Sequence, residues 1–266
     1  MRQKQPWLIA VVIVLAVGTW WFLIRDTAPP APDIGSAAEV AAAAQMTTTT
    51  AAPTTTTAAP TTTTAAPTTT TAAPTTTTAA SVAVPGDPSG IWEIDTAIGD
   101  YGDFTSTFVG FRVGEELGRG IGSTTAVGRT PQVAGTVELD GTVIIAAEIT
   151  ADLRGLRTDR SFRDSKVQEA LNTDSHPEAI FILDGPVDLG DVSTSAEVSV
   201  PGTLSVNGIN QSVNVELSAD LVGDVLAVVG TFDVIFADYG VEVPSASIVI
   251  AVEDHGVVEV QLFLTR

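Results

Sequence analysis

The sequence predicts an all-β fold, an antiparallel barrel occupying residues 89–266, on three observations. Apolar and polar residues alternate with period two in run after run. Two-residue turn signals join several of these runs. Glycines stand inside strand-like stretches, where they mark bends, bulges or close approaches that suit a closed barrel better than a flat sandwich. No alternation of strand and helix is present, so a parallel α/β sheet is excluded.

The runs follow in order. "FVGFRV" sets Val109, Phe111 and Val113 on one face, and "QVAGTVEL" does the same for Val133, Val137 and Leu139. "VIIAAEITADL" aligns Ile145, Ala147, Ile149 and Leu153. Later runs align Val213, Val215 and Leu217; Phe232, Val234 and Phe236; Ile248, Ile250 and Val252; and Val258, Val260, Leu262 and Leu264. Asp140-Gly141 and Asn207-Gly208 fit type I′ hairpins, and Gly223-Asp224 fits type II′. Eight to ten strands result, with Gly110, Gly135, Gly202 and Gly230 inside them. Helical pattern is convincing only around 159–172, where Thr158 or Asp159 is expected to cap. A barrel of about eight strands holds either one small apolar ligand or its own side chains, and the pattern alone leaves both open.

Two segments precede the barrel. Residues 7–24, "WLIAVVIVLAVGTWWFLI", form 18 uncharged residues, about 27 Å as a helix and close to the hydrocarbon thickness of a bilayer. Arg2 and Lys4 precede them, so residues 1–25 are expected to be a cytoplasmic tip and transmembrane signal-anchor with everything after it extracytoplasmic. A cleaved signal peptide would have a shorter apolar core ending in small residues; it would make the protein secreted. Residues 26–88 are Ala, Thr and Pro almost throughout, with TTTTAAP repeating so that Pro53, Pro60, Pro67 and Pro74 fall seven apart. Thr and Pro disfavour helix, and no large apolar residues occupy coiled-coil positions. The expectation is a disordered stalk, roughly 45 Å across as a flexible coil or roughly 200 Å if extended.

Composition narrows the function. Residues 89–266 carry 9 basic and 28 acidic residues, a formal charge of −19. That repels nucleic acid, so no nucleic-acid partner is expected. The chain has no cysteine, which excludes disulfides, thiolate catalysis and Cys-type metal sites. Its two histidines, His176 and His255, fall in loop-like stretches, and no nucleophile-elbow motif accompanies them, so no enzyme activity is expected. Asp184, Asp188 and Asp191 lack calcium-loop spacing and read as a solvated acidic loop rather than a metal site.

From Ile91 onward the order of short motifs resembles the YceI-like family of exported lipid-binding proteins. The motifs are "WEID", "STFVGFRV", "TDRSFRD" (158–164), "HPEAIFIL" (176–183), "GTLSVNGINQSVNVEL" (202–217) and "DYGVEV" (238–243). Each is weak alone; their shared order and spacing over 91–264 carry the resemblance. It implies an extended, eight-stranded, lipocalin-like barrel with one short helix, holding a polyisoprenoid in an apolar tunnel. The chain departs from the family where histidines often occur: "GEEL" stands at 114–117, and Ser165-Lys166-Val167 follows Arg163-Asp164.

The candidate site follows. Phe111, Val113, Phe162, Phe181, Phe232 and Phe236 are expected to line the apolar interior, and Arg160, Arg163 and Asp164 to supply polar contacts near its opening. No cofactor is expected other than a bound polyisoprenoid lipid, as carried, buffered or sensed cargo; the other reading is a filled barrel displayed for a protein or wall-polymer partner. In so acidic a chain, Arg154, Arg157, Arg160, Arg163 and Lys166 recur every third residue. Asp152, Asp159 and Asp164 are interleaved, so ion pairing is the expected fate of most of the cluster, with Arg163 and Asp164, the pair matching the family motif, as exceptions.

Overall fold

The computed structural model describes residues 28–48, 87–118, 122–190, 196–243 and 249–266. The expected span at 7–24 and the TTTTAAP repeat lie outside these residues. Among the described residues no helix is long and apolar enough to cross a membrane.

Among the described residues thirteen strands form one sheet: β1 (Gly90–Ile94), β2 (Phe108–Leu117), β3 (Gly122–Thr130), β4 (Val133–Asp140), β5 (Val143–Asp152), β6 (Arg157–Thr158), β7 (Glu178–Leu183), β8 (Val187–Asp188), β9 (Ala196–Val206), β10 (Ile209–Val222), β11 (Val225–Ile235), β12 (Val249–Val252) and β13 (His255–Thr265). The ladder β1-β4-β5-β7-β9-β10-β11-β13 closes on itself because β13 also pairs with β1, giving an eight-stranded antiparallel barrel. β13 is shared along its length. Leu264 and Thr265 meet β1, whereas Val257–Gln261 meet β2, which continues the wall through β3 and β6. Closure removes the exposed sheet edges that an eight-stranded open sheet would carry.

The expected turn chemistry holds at the hairpin between β9 and β10. Asn207 and Gly208 have φ of 53° and 74°, the type I′ pattern, between paired Val206 and Ile209. Of Gly223 and Asp224 only the glycine has positive φ. The first hairpin turns one residue later than expected: Asp140 pairs with Val143, so Gly141-Thr142 is the turn. Two strands also change phase. The ladder between β4 and β5 slips at Glu138/Leu139, so Ile144 is buried and Ile145 is exposed. A second bulge between Val249 and Ala251 turns Ile250 outward. An extra residue at a bulge reverses the inside–outside alternation beyond it, which period-two counting does not detect.

The helix expected around 159–172 is shorter. It is α2, below, Asp164–Ala170, preceded by a 3-10 turn at Ser161–Arg163, and neither Thr158 nor Asp159 caps it. A second correction concerns the stalk. Within 26–88, residues Ile34–Thr48 form a helix, α1, capped by Asp33, whose carboxylate accepts from Ser36 N at 3.0 Å. Ala37 and Ala41, four apart and fully buried, lie on the outer face of the barrel against Val225, Ala227, Val229 and Phe263. Small side chains let the helix approach the sheet closely, and the alanine run has the best helix propensity available. The stretch is free of proline from Ile34 onward, unlike the repeat that follows.

Candidate functional site

Alternation along the strands sends Val109, Phe111, Val113, Glu115 and Leu117 of β2 inward, with Val234 of β11 and Val258 of β13. They surround an upper chamber of about 320 Å³, within the range of small-molecule sites. A lower chamber of about 110 Å³ continues it, lined by Phe181, Val215, Phe232, Leu262 and Leu264 among others. The two meet at Val109, Ala179, Leu204 and Val258, which line both. From Leu226 in the lower chamber to Val234 in the upper is eight residues of β11, about 26 Å of apolar passage.

Two glycines make room for the aromatic walls. A Cβ on Gly202 would lie 2.3 Å from the Phe181 ring, and one on Gly128 would lie 2.6 Å from the Phe111 ring. Each ring therefore lies against a glycine of the neighbouring strand, in space that a side chain there would fill.

The upper chamber carries one polar cluster. The Arg163 guanidinium joins Glu115 and Asp159, donating to Asp159 Oδ1 at 3.0 Å. Asp159 is 2% exposed and also accepts from Val127 N at 3.2 Å; Arg160 Nε lies 3.8 Å from its other oxygen. Lys166, which also lines the chamber, pairs with Glu169 at 2.8 Å, so three cations meet three carboxylates, of which only Glu115 lines the chamber itself. Burial pushes the Glu115 carboxyl above its usual range; Arg163 opposes the rise, and Asp159 adds to it. Tyr239 also lines the chamber; it is buried, and its hydroxyl has no protein partner among the described residues. Burial, helped by the Asp238 charge, pushes that phenol up to about 12.

The expected residues divide accordingly. Phe111, Val113 and Phe236 line the upper chamber, and Phe181 and Phe232 the lower. Phe162 touches the upper chamber but is 68% exposed, so it belongs to the rim rather than the interior. Arg160 and Arg163 reach the chamber. Asp164 does not line it: its Oδ1 accepts from Thr158 N at 2.8 Å and lies 2.7 Å from the Thr158 hydroxyl, which fixes the approach to α2, the helix Asp164–Ala170. The rest of the basic cluster is satisfied locally. Arg154 pairs with Asp152 at 2.7 Å and Lys166 with Glu169 at 2.8 Å, and Arg157 donates to Leu156 O at 2.8 Å. His176 and His255 are exposed. Sequence reasoning passed over Glu115 and Tyr239. The inward phase of "FVGFRVGEEL" reaches Glu115 by continuing the count from Val113, and that was the available signal.

The family model for the YceI-like domain matches residues 92–264. The chain belongs to the YceI-like family. Solved structures similar to it include a polyisoprenoid binding domain from Saccharophagus degradans implicated in plant cell wall breakdown (17% identity, 66% of this chain and 97% of that one, TM-score 0.49). Others are Burkholderia cenocepacia BcnA (15%, 58% and 95%, TM-score 0.46) and the Campylobacter jejuni YCEI protein (11%, 52% and 84%, TM-score 0.44). No match is found among curated proteins.

Proposed function

We propose that this YceI-like barrel binds a polyprenyl-type lipid, with the chain in the two-chamber passage and an uncharged polar end group in the upper chamber. The observation that carries the reading is a long apolar cavity left open by its own side chains, with an unpartnered tyrosine hydroxyl on its wall. A buried hydroxyl without a partner costs about 1–3 kcal/mol, which a ligand oxygen at Tyr239 would recover. The balanced charges of Glu115, Asp159, Arg160 and Arg163 favour a carbonyl or hydroxyl end group, as on an isoprenoid quinone or alcohol, over a phosphate. The protein acts as a carrier, buffer or sensor of that lipid, outside the cytoplasm, held by residues 7–24 as a single membrane span.

Native mass spectrometry of the full chain after mild purification tests this. A discrete co-purifying apolar mass, exchangeable for an added prenylquinone, is the expected result. A clean apo mass with no uptake of prenylquinone or prenol would overturn it, and would favour the display module with a protein or wall-polymer partner.

A further inference from the structure

Residues 28–48 lie along the outside of the barrel, and their direction sets how the barrel meets the membrane. At one end, Gln45 Nε2 donates to Val222 O at 3.3 Å, beside the β10–β11 turn. At the other, Arg129 Nη2 donates to Pro30 O and Arg112 Nη2 to Pro29 O, each at 2.7 Å. Arg129 lies level with Gly110 and Glu259, and Arg112 with Val257, so the chain traced backward from Pro30 to Pro29 heads toward the His255 end of β13. That is the end where the upper chamber reaches the surface, past Phe162 and Val243.

The stretch containing the repeat starts and finishes at the opposite end. It leaves α1 near the β10–β11 turn and rejoins the barrel at Asp87, whose carbonyl accepts from Arg266 at 2.8 Å, while Ser89 Oγ accepts from Gly141 N at 2.8 Å. Thr265 and Gly141 both belong to that end, since Leu264 pairs with Leu226, Thr265 with Glu93 of β1, and Leu139 with Gly90 at the start of the same strand. Thr48 and Asp87, which bound that stretch, therefore both lie at the end away from the mouth.

We infer that the mouth of the cavity rests on the bilayer, and that the described residues on either side of the TTTTAAP repeat lie at the membrane-distal end of the barrel. This inference rests on the reading of 7–24 as a membrane span. From Ile24 to Pro29 is five residues, about 17 Å fully extended. From Arg112 to Leu117 at the rim is also five residues, about 17 Å of strand. The tether is no longer than the barrel wall it must clear, so the rim is drawn to the headgroup layer. The rim is built for such contact: Phe162, Ile209, Ile235, Val243 and Ile250 are large apolar side chains exposed around it. Its exposed charges include Glu116, Asp238, Glu242, Glu253 and Asp254 with the Lys166–Glu169 pair, so the fitting partner is a neutral phospholipid surface rather than an anionic one. A lipid could then pass between bilayer and barrel without crossing water.

The chain lacks cysteine, so single Cys substitutions carry a unique label. The full chain is reconstituted in phosphatidylcholine vesicles with a fluorophore at Ile250→Cys, on the rim, or Asp224→Cys, at the far end. Nitroxide-headgroup lipids should quench the label at 250 and spare the label at 224. Deleting residues 50–80 should leave that pattern unchanged, whereas Ala41→Glu, which unseats α1, should abolish quenching at 250 while the chain still floats with the vesicles. If the unmodified chain fails to float, the membrane-span reading falls and this inference with it. If it floats but the label at 250 is no more quenched than that at 224, the span stands and the docked mouth is overturned.

Discussion

Ala179→Phe should shorten the passage without harming the fold. Ala179 lines both chambers at their junction, on β7 opposite Ala151. A phenyl ring there occupies space that is already empty, so thermal stability should hold or rise. The ligand, however, loses the lower chamber. At about 24 cal/mol per Å³ of apolar cavity, leaving 110 Å³ unfilled is worth about 2.6 kcal/mol, or roughly 80-fold in Kd. A prenylquinone long enough to reach the lower chamber should weaken by that factor, and a short-chain analogue that fills only the upper chamber should bind as before. The measurement is a titration of both ligands against wild type and variant, followed by isothermal calorimetry. Equal affinities of the long ligand for both proteins, or equal losses for long and short ligands, would refute the two-chamber account.

Three further outcomes follow from the polar groups. Glu259→Gln leaves Arg129, 2% exposed and held at 2.7 Å by Glu259, without its counter-charge; a loss of about 3–5 kcal/mol is expected, seen as roughly 6–20 °C in Tm. Arg163→Ala leaves the buried Asp159 and Glu115 carboxylates facing each other and should weaken both lipid retention and Tm, whereas Arg154→Ala, on an exposed pair, should change neither; the comparison is read by native mass spectrometry and melting. The chain has two tyrosines, and Tyr239 is raised to about 12 from an ordinary value of about 10. Between those values the folded state holds a proton the unfolded state has lost, so Tyr239 makes stability fall as pH rises from about 10 to 12. Phenolate absorbance should show a late step that Tyr239→Phe removes, together with that part of the pH dependence.

Much of the barrel was legible locally. Strand period, the Asn207-Gly208 turn and the inward phase of Phe111, Val113, Phe232 and Phe236 are properties of short stretches, because a pleated strand places alternate side chains on opposite faces whatever it pairs with. Errors arose where pairing partners intervene. Ile145 and Ile250 point outward because bulges in their ladders shift the phase, and Asp164 serves Thr158 rather than the cavity because the turn before α2 folds back onto it. The docking of α1 had a faint signal. Val225–Val229 is apolar without alternation, as expected of a strand covered on both faces, but the element that covers it lies some 180 residues earlier in the chain.

By itself, the sequence determined an acidic, cysteine-free, antiparallel β domain behind an apolar N-terminal run and a repetitive Thr/Ala/Pro tract, since composition and short-range periodicity are written into consecutive residues. Tertiary structure alone decided that the barrel is hollow, that Glu115, Arg163 and Tyr239 share its upper chamber with Asp159 held behind Arg163, and that the segment before the repeat lies along the barrel wall. Each of those depends on groups far apart in the chain meeting across a closed sheet, and the order of residues along one strand carries no record of which strand lies opposite.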